Sequence, residues 1–63
     1  MEYYVNMNED RWGKHEVHSE ECYLCPQGNK SIYLGDFHDC NEAIEEARQY
    51  YENSVGCHHC CKG

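Results

Sequence analysis

The sequence predicts an α+β domain, a three-stranded antiparallel sheet with one amphipathic helix packed on one face, and three observations predict it. Residues 2–7 alternate apolar and polar with period two, residues 40–53 carry apolar side chains at helical spacing, and a polar run at 8–10 sits where a hairpin needs its turn.

In an extended 2–7 segment, Tyr3, Val5 and Met7 share one face and Glu2, Tyr4 and Asn6 the other, the pattern of a half-buried strand. Asn8-Glu9-Asp10 then reads as the turn and 12–18 as a second strand, with His15 and Val17 inward. Residues 19–30 hold Pro26, Gly28 and Asn29 without periodicity and read as a loop containing Cys22 and Cys25. A third strand at 31–37 has Ile32 and Leu34 on one face and Tyr33 and Phe37 on the other, so both faces are partly apolar. Asp39 with Glu42 three positions on is a capping-box pattern, each carboxylate satisfying an orphan backbone donor at a helix start. Cys40, Ile44, Ala47 and Tyr51 follow at helical spacing, flanked by Ala43 and Tyr50, while Glu42, Glu45, Glu46, Arg48, Gln49 and Glu52 face water. Asn53 to Gly56 ends this helix, with Gly56 suited to a left-handed terminal conformation. Residues 57–63 form a Cys/His-rich tail, and with no internal repeat or linker, 1–63 reads as one domain.

So small a chain is poorly supplied with core. Two Ile, two Leu, three Val and two Met are supplemented by six Tyr, one Trp and one Phe. Burial of apolar surface contributes about 100 kcal/mol, against about 95 kcal/mol for ordering the chain. A covalent or metal staple is expected, and six Cys are the material for it.

The formal charge of −7, from twelve carboxylates against five Lys and Arg, disfavours nucleic acid and anionic membrane surfaces, which need a cationic stripe. No apolar run is long enough to span a bilayer, and Met1 to Val5 has neither the basic nor the apolar region of a secretory leader. The expected location is cytoplasmic, where six Cys favour metal over a three-bridge disulfide framework.

Cys57 and Cys60 form a C-x-x-C knuckle, a spacing at which two thiolates converge on one ion, and Cys22 and Cys25 form a second. Zinc held by Cys22, Cys25, Cys57 and Cys60 is the simplest reading. Yet 31 residues separate the knuckles, more than in a zinc ribbon, and four thiolates burden an already acidic chain. A neutral His in place of one Cys eases that, and His18, four residues before Cys22, is the best substitute; His58, His59 and Cys61 are rivals. His15-Glu16-Val17-His18 is one residue short of H-E-x-x-H, and on a strand its two His point to opposite sides, so one belongs to a site and the other to packing. Cys40 lies on the helix's buried stripe, a small core hydrophobe by default and an alternate ligand, while Cys61 is a spare thiol or a ligand in exchange with Cys60. A redox role for Cys57 and Cys60 is disfavoured, because the pair follows a helix carboxyl end with only Lys62 as a nearby cation.

Taken together, His15-x-Val17-His18-x3-Cys22, Tyr33-Leu34-Gly35-x-Phe37, Cys40-x-Glu42-Ala43 and Gly56-Cys57-x2-Cys60 resemble a family of short Cys-rich bacterial proteins of unknown function. In that family the residue before the loop proline is often Leu, where this chain has Cys25. The resemblance therefore implies Cys22, Cys57 and Cys60 as ligands, with a fourth from His18 or Cys40, and brings no activity with it.

Three function classes remain. The first is a structural-zinc module whose exposed Tyr residues and acidic helix bind a protein partner. The second is a metal buffer or donor. The third, a thiol redox or hydrolytic enzyme, is the least supported, since a catalytic zinc needs an open position within a pocket.

Overall fold

The structure is a computed structural model that describes residues 1–26 and 28–61. Gln27 of the predicted loop, and Lys62 and Gly63 of the predicted tail, lie outside the described residues. Strands β1 (Glu2–Asn6) and β2 (His15–Ser19) pair antiparallel as the sequence predicts, with Val5 opposite Val17 and Tyr4 opposite His18. Strand β3 (Ser31–Asp36) pairs antiparallel on the other side of β1.

The sheet nevertheless has four strands and is mixed rather than three-stranded and antiparallel. Strand β4 (Ser54–Gly56) pairs parallel to β2, giving the order β3-β1-β2-β4. Three residues are too few to show a period, and what recruits them is the row of amides and carbonyls that β2 leaves open on its far side.

β2 also begins later than predicted. The Asp10 carboxylate accepts from the amides of Trp12 at 2.8 Å and Lys14 at 2.9 Å, and Gly13 takes a φ of 75°, so 10–14 is a closed turn. Trp12 is left 67% exposed outside the sheet, and β1 ends before Met7, which is also exposed.

On β3, Tyr33 faces Tyr4 but Gly35 faces Tyr3, so Leu34 and Gly35 together occupy one step of the ladder. That bulge shifts the alternation by one residue. Phe37, predicted on the face opposite Leu34, therefore packs against the same core, 6.4 Å from the Tyr3 ring.

Helix α1 (Cys40–Ala47) starts where its cap predicts. Asp39 accepts from the Glu42 amide at 3.0 Å, and the Glu42 carboxylate reaches back to the His38 amide at 3.0 Å. It stops at Ala47 rather than near 53. The Ser54 hydroxyl and amide both take the Tyr51 carbonyl, the Asn53 side chain donates to the Gly13 carbonyl, and Tyr51 lies stacked on His15 with 3.6 Å between centroids. These contacts, of which only the Ser54 pair is local, compete with another helical turn. Gly56 has no left-handed φ and belongs to β4.

α1 covers one face of the sheet, burying Tyr3, Val5, Val17, Leu34, Ala43 and Ala47 together. Because strand side chains alternate, Tyr4, Glu16 and His18 face the other way. Among the described residues no helix is long and apolar enough to cross a membrane.

Candidate metal centre

Four of the predicted donors meet around the end of β2, where His18 faces away from α1. His18, Cys22, Cys57 and Cys60 place one ligand atom each within 4.8 Å of all the others. His18 comes from β2. Cys57 follows β4 directly and donates its amide to the Val17 carbonyl at 3.0 Å, so the parallel pairing of β2 with β4 carries it alongside His18. Cys22 lies in the turn after β2, its amide on the Ser19 carbonyl at 3.1 Å. Cys60 closes a turn from Cys57, which the Cys61 amide fixes by donating to the Cys57 carbonyl at 2.8 Å.

Two of the cluster's six edges have the length of a tetrahedral site, and the others lie within 4.8 Å. With metal–sulfur bonds of about 2.3 Å and metal–nitrogen bonds of about 2.0–2.1 Å, tetrahedral edges are about 3.8 Å between sulfurs and about 3.6 Å between sulfur and nitrogen. Cys22 Sγ lies 3.9 Å from Cys57 Sγ and 3.7 Å from His18 Nδ1. Backbone amides already point at two of the sulfurs: Ser19 donates to Cys60 at 3.3 Å and His59 to Cys57 at 3.4 Å, contacts that favour thiolate.

His18 is the most enclosed donor, 1% exposed, with its other ring nitrogen, Nε2, 3.6 Å from the Glu16 carboxylate. Burial holds its pKa below the usual histidine value, against the opposing pull of Glu16, so the neutral imidazole that a metal needs is the favoured form. Burial also pushes the Cys60 thiol up to about 12; the Ser19 amide pulls it down, and the Cys22 and Cys57 sulfurs push it further up. Buried sulfurs crowded together resist ionisation until a cation supplies the missing countercharge.

No protein-family model, curated protein or solved structure matches this chain. The donor geometry must therefore carry the reading by itself.

Among the predicted ligands, Cys25 stands outside the four. Its amide bonds the Cys22 carbonyl at 3.0 Å, and burial, then the Cys22 and Cys57 sulfurs, raise its pKa. The alternate His18 occupies the fourth place. The other two alternates, Cys40 and Cys61, are joined in a disulfide between the start of α1 and the residue after Cys60. Cys40 does pack against the core as its helical position predicts, but Cys61 is not a spare thiol. His15 is a packing residue, stacked on Tyr51 with Nδ1 2.9 Å from the Asn6 carbonyl. His58 and His59 are exposed, and His59 meets Tyr23 through a 3.1 Å contact to its hydroxyl.

Two features escaped the sequence reading. Glu16 was legible as a partner of His18, since residues two apart on a strand share a face. β4 left no such signal, yet it delivers Cys57. It also stands between α1 and the Cys57 knuckle, so the pair does not directly follow a helix carboxyl end, and the helix-dipole argument drawn from the sequence does not apply to it.

Proposed function

We propose that this protein is a small structural-zinc domain that binds one ion through His18, Cys22, Cys57 and Cys60 and serves as a protein-interaction module. The observation that carries the reading is the four-donor cluster, with edges of 3.7 and 3.9 Å matching tetrahedral coordination. A structural role is supported by burial, since His18 and Cys57 are each 1% exposed, and by position, since the ion would tie β2, the 20–26 loop and the β4 segment together. Zinc suits three thiolates and one imidazole, as a borderline-soft ion without redox chemistry.

The interaction role is supported by the surface. Tyr3 is core, but Tyr23, Tyr33 and Tyr50 are exposed, as are Glu42 and Glu45 of α1 and Trp12. With a charge of −7, the fitting partner is a basic protein segment. One observation favours metal handling instead: a cleft of about 320 Å³, lined by Ser19, Glu21, Cys22, Tyr23, His59 and Cys60, reaches two of the donors from outside.

Native mass spectrometry of protein purified without chelator tests the reading, with one zinc per chain expected. Circular dichroism during chelation then separates the two roles. Loss of fold with loss of metal supports the structural role, and exchange without unfolding supports handling.

A further inference from the structure

The Cys40–Cys61 disulfide and the candidate metal centre share a single turn of backbone. Cys61 follows the donor Cys60 directly, and their sulfurs lie 4.0 Å apart. Both approach the Val17 carbonyl, at 3.9 Å from Cys60 and 3.3 Å from Cys61, and the Cys57 amide bonds that same oxygen. Residues 57–61 thus cross the end of β2 as one unit carrying two donors. β4 holds this unit on one side. On the other, the described contacts include the Ser19 amide on the Cys60 sulfur, the Tyr23 hydroxyl against His59 Nε2, and the covalent link through Cys61 to the first residue of α1.

Resting on the metal-site reading above, we infer that the Cys40–Cys61 disulfide is a redox latch on the metal centre. Closed, it keeps Cys57 and Cys60 at coordinating distance from His18 and Cys22. Open, it frees the 57–61 turn from α1, and the ion is held less tightly.

Opening requires a thiol or dithiol reductant of low molecular weight. One reductant thiolate attacks a sulfur of the disulfide, and the displaced cysteine takes up a proton. A second reductant thiolate then resolves the mixed disulfide, the other cysteine takes up a proton, and the reductant departs as its own disulfide. Two electrons and two protons reach Cys40 and Cys61, while zinc and its donors keep their oxidation states. Closing is the reverse, with a small-molecule disulfide as oxidant.

The effect on binding follows from population. If the open latch leaves the turn in its binding position about a tenth of the time, apparent affinity falls about tenfold. By linkage, zinc must favour the closed disulfide by the same factor.

The test is zinc binding by competition with a chromogenic chelator. Three forms are compared: disulfide-closed protein, wild type reduced with a phosphine, and the Cys40→Ser/Cys61→Ser double variant. The closed form should bind about tenfold or more tightly than the other two, which should agree. Saturating zinc should move the thiol–disulfide midpoint toward the closed form by that same factor. Reduced protein binding zinc as tightly as closed protein, or more tightly, overturns the latch and leaves the metal reading intact. Absence of binding in every form overturns both. If the double variant does not fold, the comparison of closed and reduced wild type decides alone.

Discussion

The sulfurs of Cys22 and Cys57 lie 3.9 Å apart, although 35 positions separate them in the chain. That closure joins the loop after β2 to the segment after β4, and a metal bound there should stabilise the fold by mass action. At a free zinc concentration about a hundredfold above Kd the gain is about 2.7 kcal/mol. For a domain of this size each kcal/mol moves Tm by about 4–8 °C, so chelation should lower Tm by about 10–20 °C. Differential scanning calorimetry with and without chelator checks this, and an unchanged melt would remove the structural role.

The six cysteines fall into three chemical classes, which makes them countable. In the proposed zinc-bound form Cys22, Cys57 and Cys60 would hold the ion, the disulfide holds Cys40 and Cys61, and Cys25 would be left as a free thiol. A thiol-reactive chromophore should count one thiol in the zinc-bound protein, four after chelation and denaturation, and six after full reduction. A count of none with zinc bound would move Cys25 into the coordination sphere.

Glu16 is expected to matter through His18. Its carboxylate stands 3.6 Å from His18 Nε2, on the side of the ring away from the Cys22 sulfur, just beyond hydrogen-bond length but close enough to favour a proton on Nε2 electrostatically. Loss of such an outer carboxylate weakens metal binding about 10- to 100-fold. Glu16→Gln should do so while leaving the far-ultraviolet spectrum unchanged. Wild-type affinity in this variant would make Glu16 a bystander.

The pH dependence of zinc binding follows from the surroundings of Cys60 and His18. In the metal-free protein Cys60 keeps its proton up to about pH 12, so between pH 7 and 9 coordination must displace that proton. From this thiol alone, apparent affinity should rise about tenfold per pH unit. His18, with its pKa lowered by burial, is already neutral above about pH 6.5 and adds no slope there. Chelator competition from pH 7 to 8.5 should show rising affinity, and a flat profile would exclude Cys60 as a ligand.

Local chemistry made part of this fold readable. The alternation in β1 placed Tyr3 and Val5 in the core, and the Asp39–Glu42 cap located the start of α1 to the residue. The inward turn of Phe37 depends on a bulge at Leu34–Gly35 that only pairing with β1 defines. The early end of α1 depends on Asn53 and Ser54 finding partners at Gly13 and Tyr51, one of them 40 positions distant. Three donors of the cluster could be named from the C-x-x-C spacings. Spacing treats Cys22 and Cys25 alike, however; the family resemblance set Cys25 apart, and the donor cluster of the structure holds Cys22 and not Cys25.

Gly56 carries the last of these long-range constraints, and its requirement is space rather than backbone conformation. A Cβ built there would lie 2.6 Å from the Cys61 Cβ and 3.2 Å from Ile44 Cδ1, so Cys61 can cross β4 only over a glycine. Gly56→Ala forces the disulfide or β4 to move, an overpacking cost of about 1–3 kcal/mol. At about 4–8 °C per kcal/mol this lowers Tm measurably. Gly13 supplies the contrast: its φ is 75° and nothing lies within 4 Å of a Cβ there, so conformation is its constraint. Asn tolerates that region better than Ala does. Gly13→Asn should therefore melt close to wild type while Gly56→Asn does not, and metal-free, disulfide-closed protein should keep the order. Equal melting of the two Asn variants would mean that Cys61 does not sit over β4, and the shared turn of disulfide and metal centre would have to be redrawn.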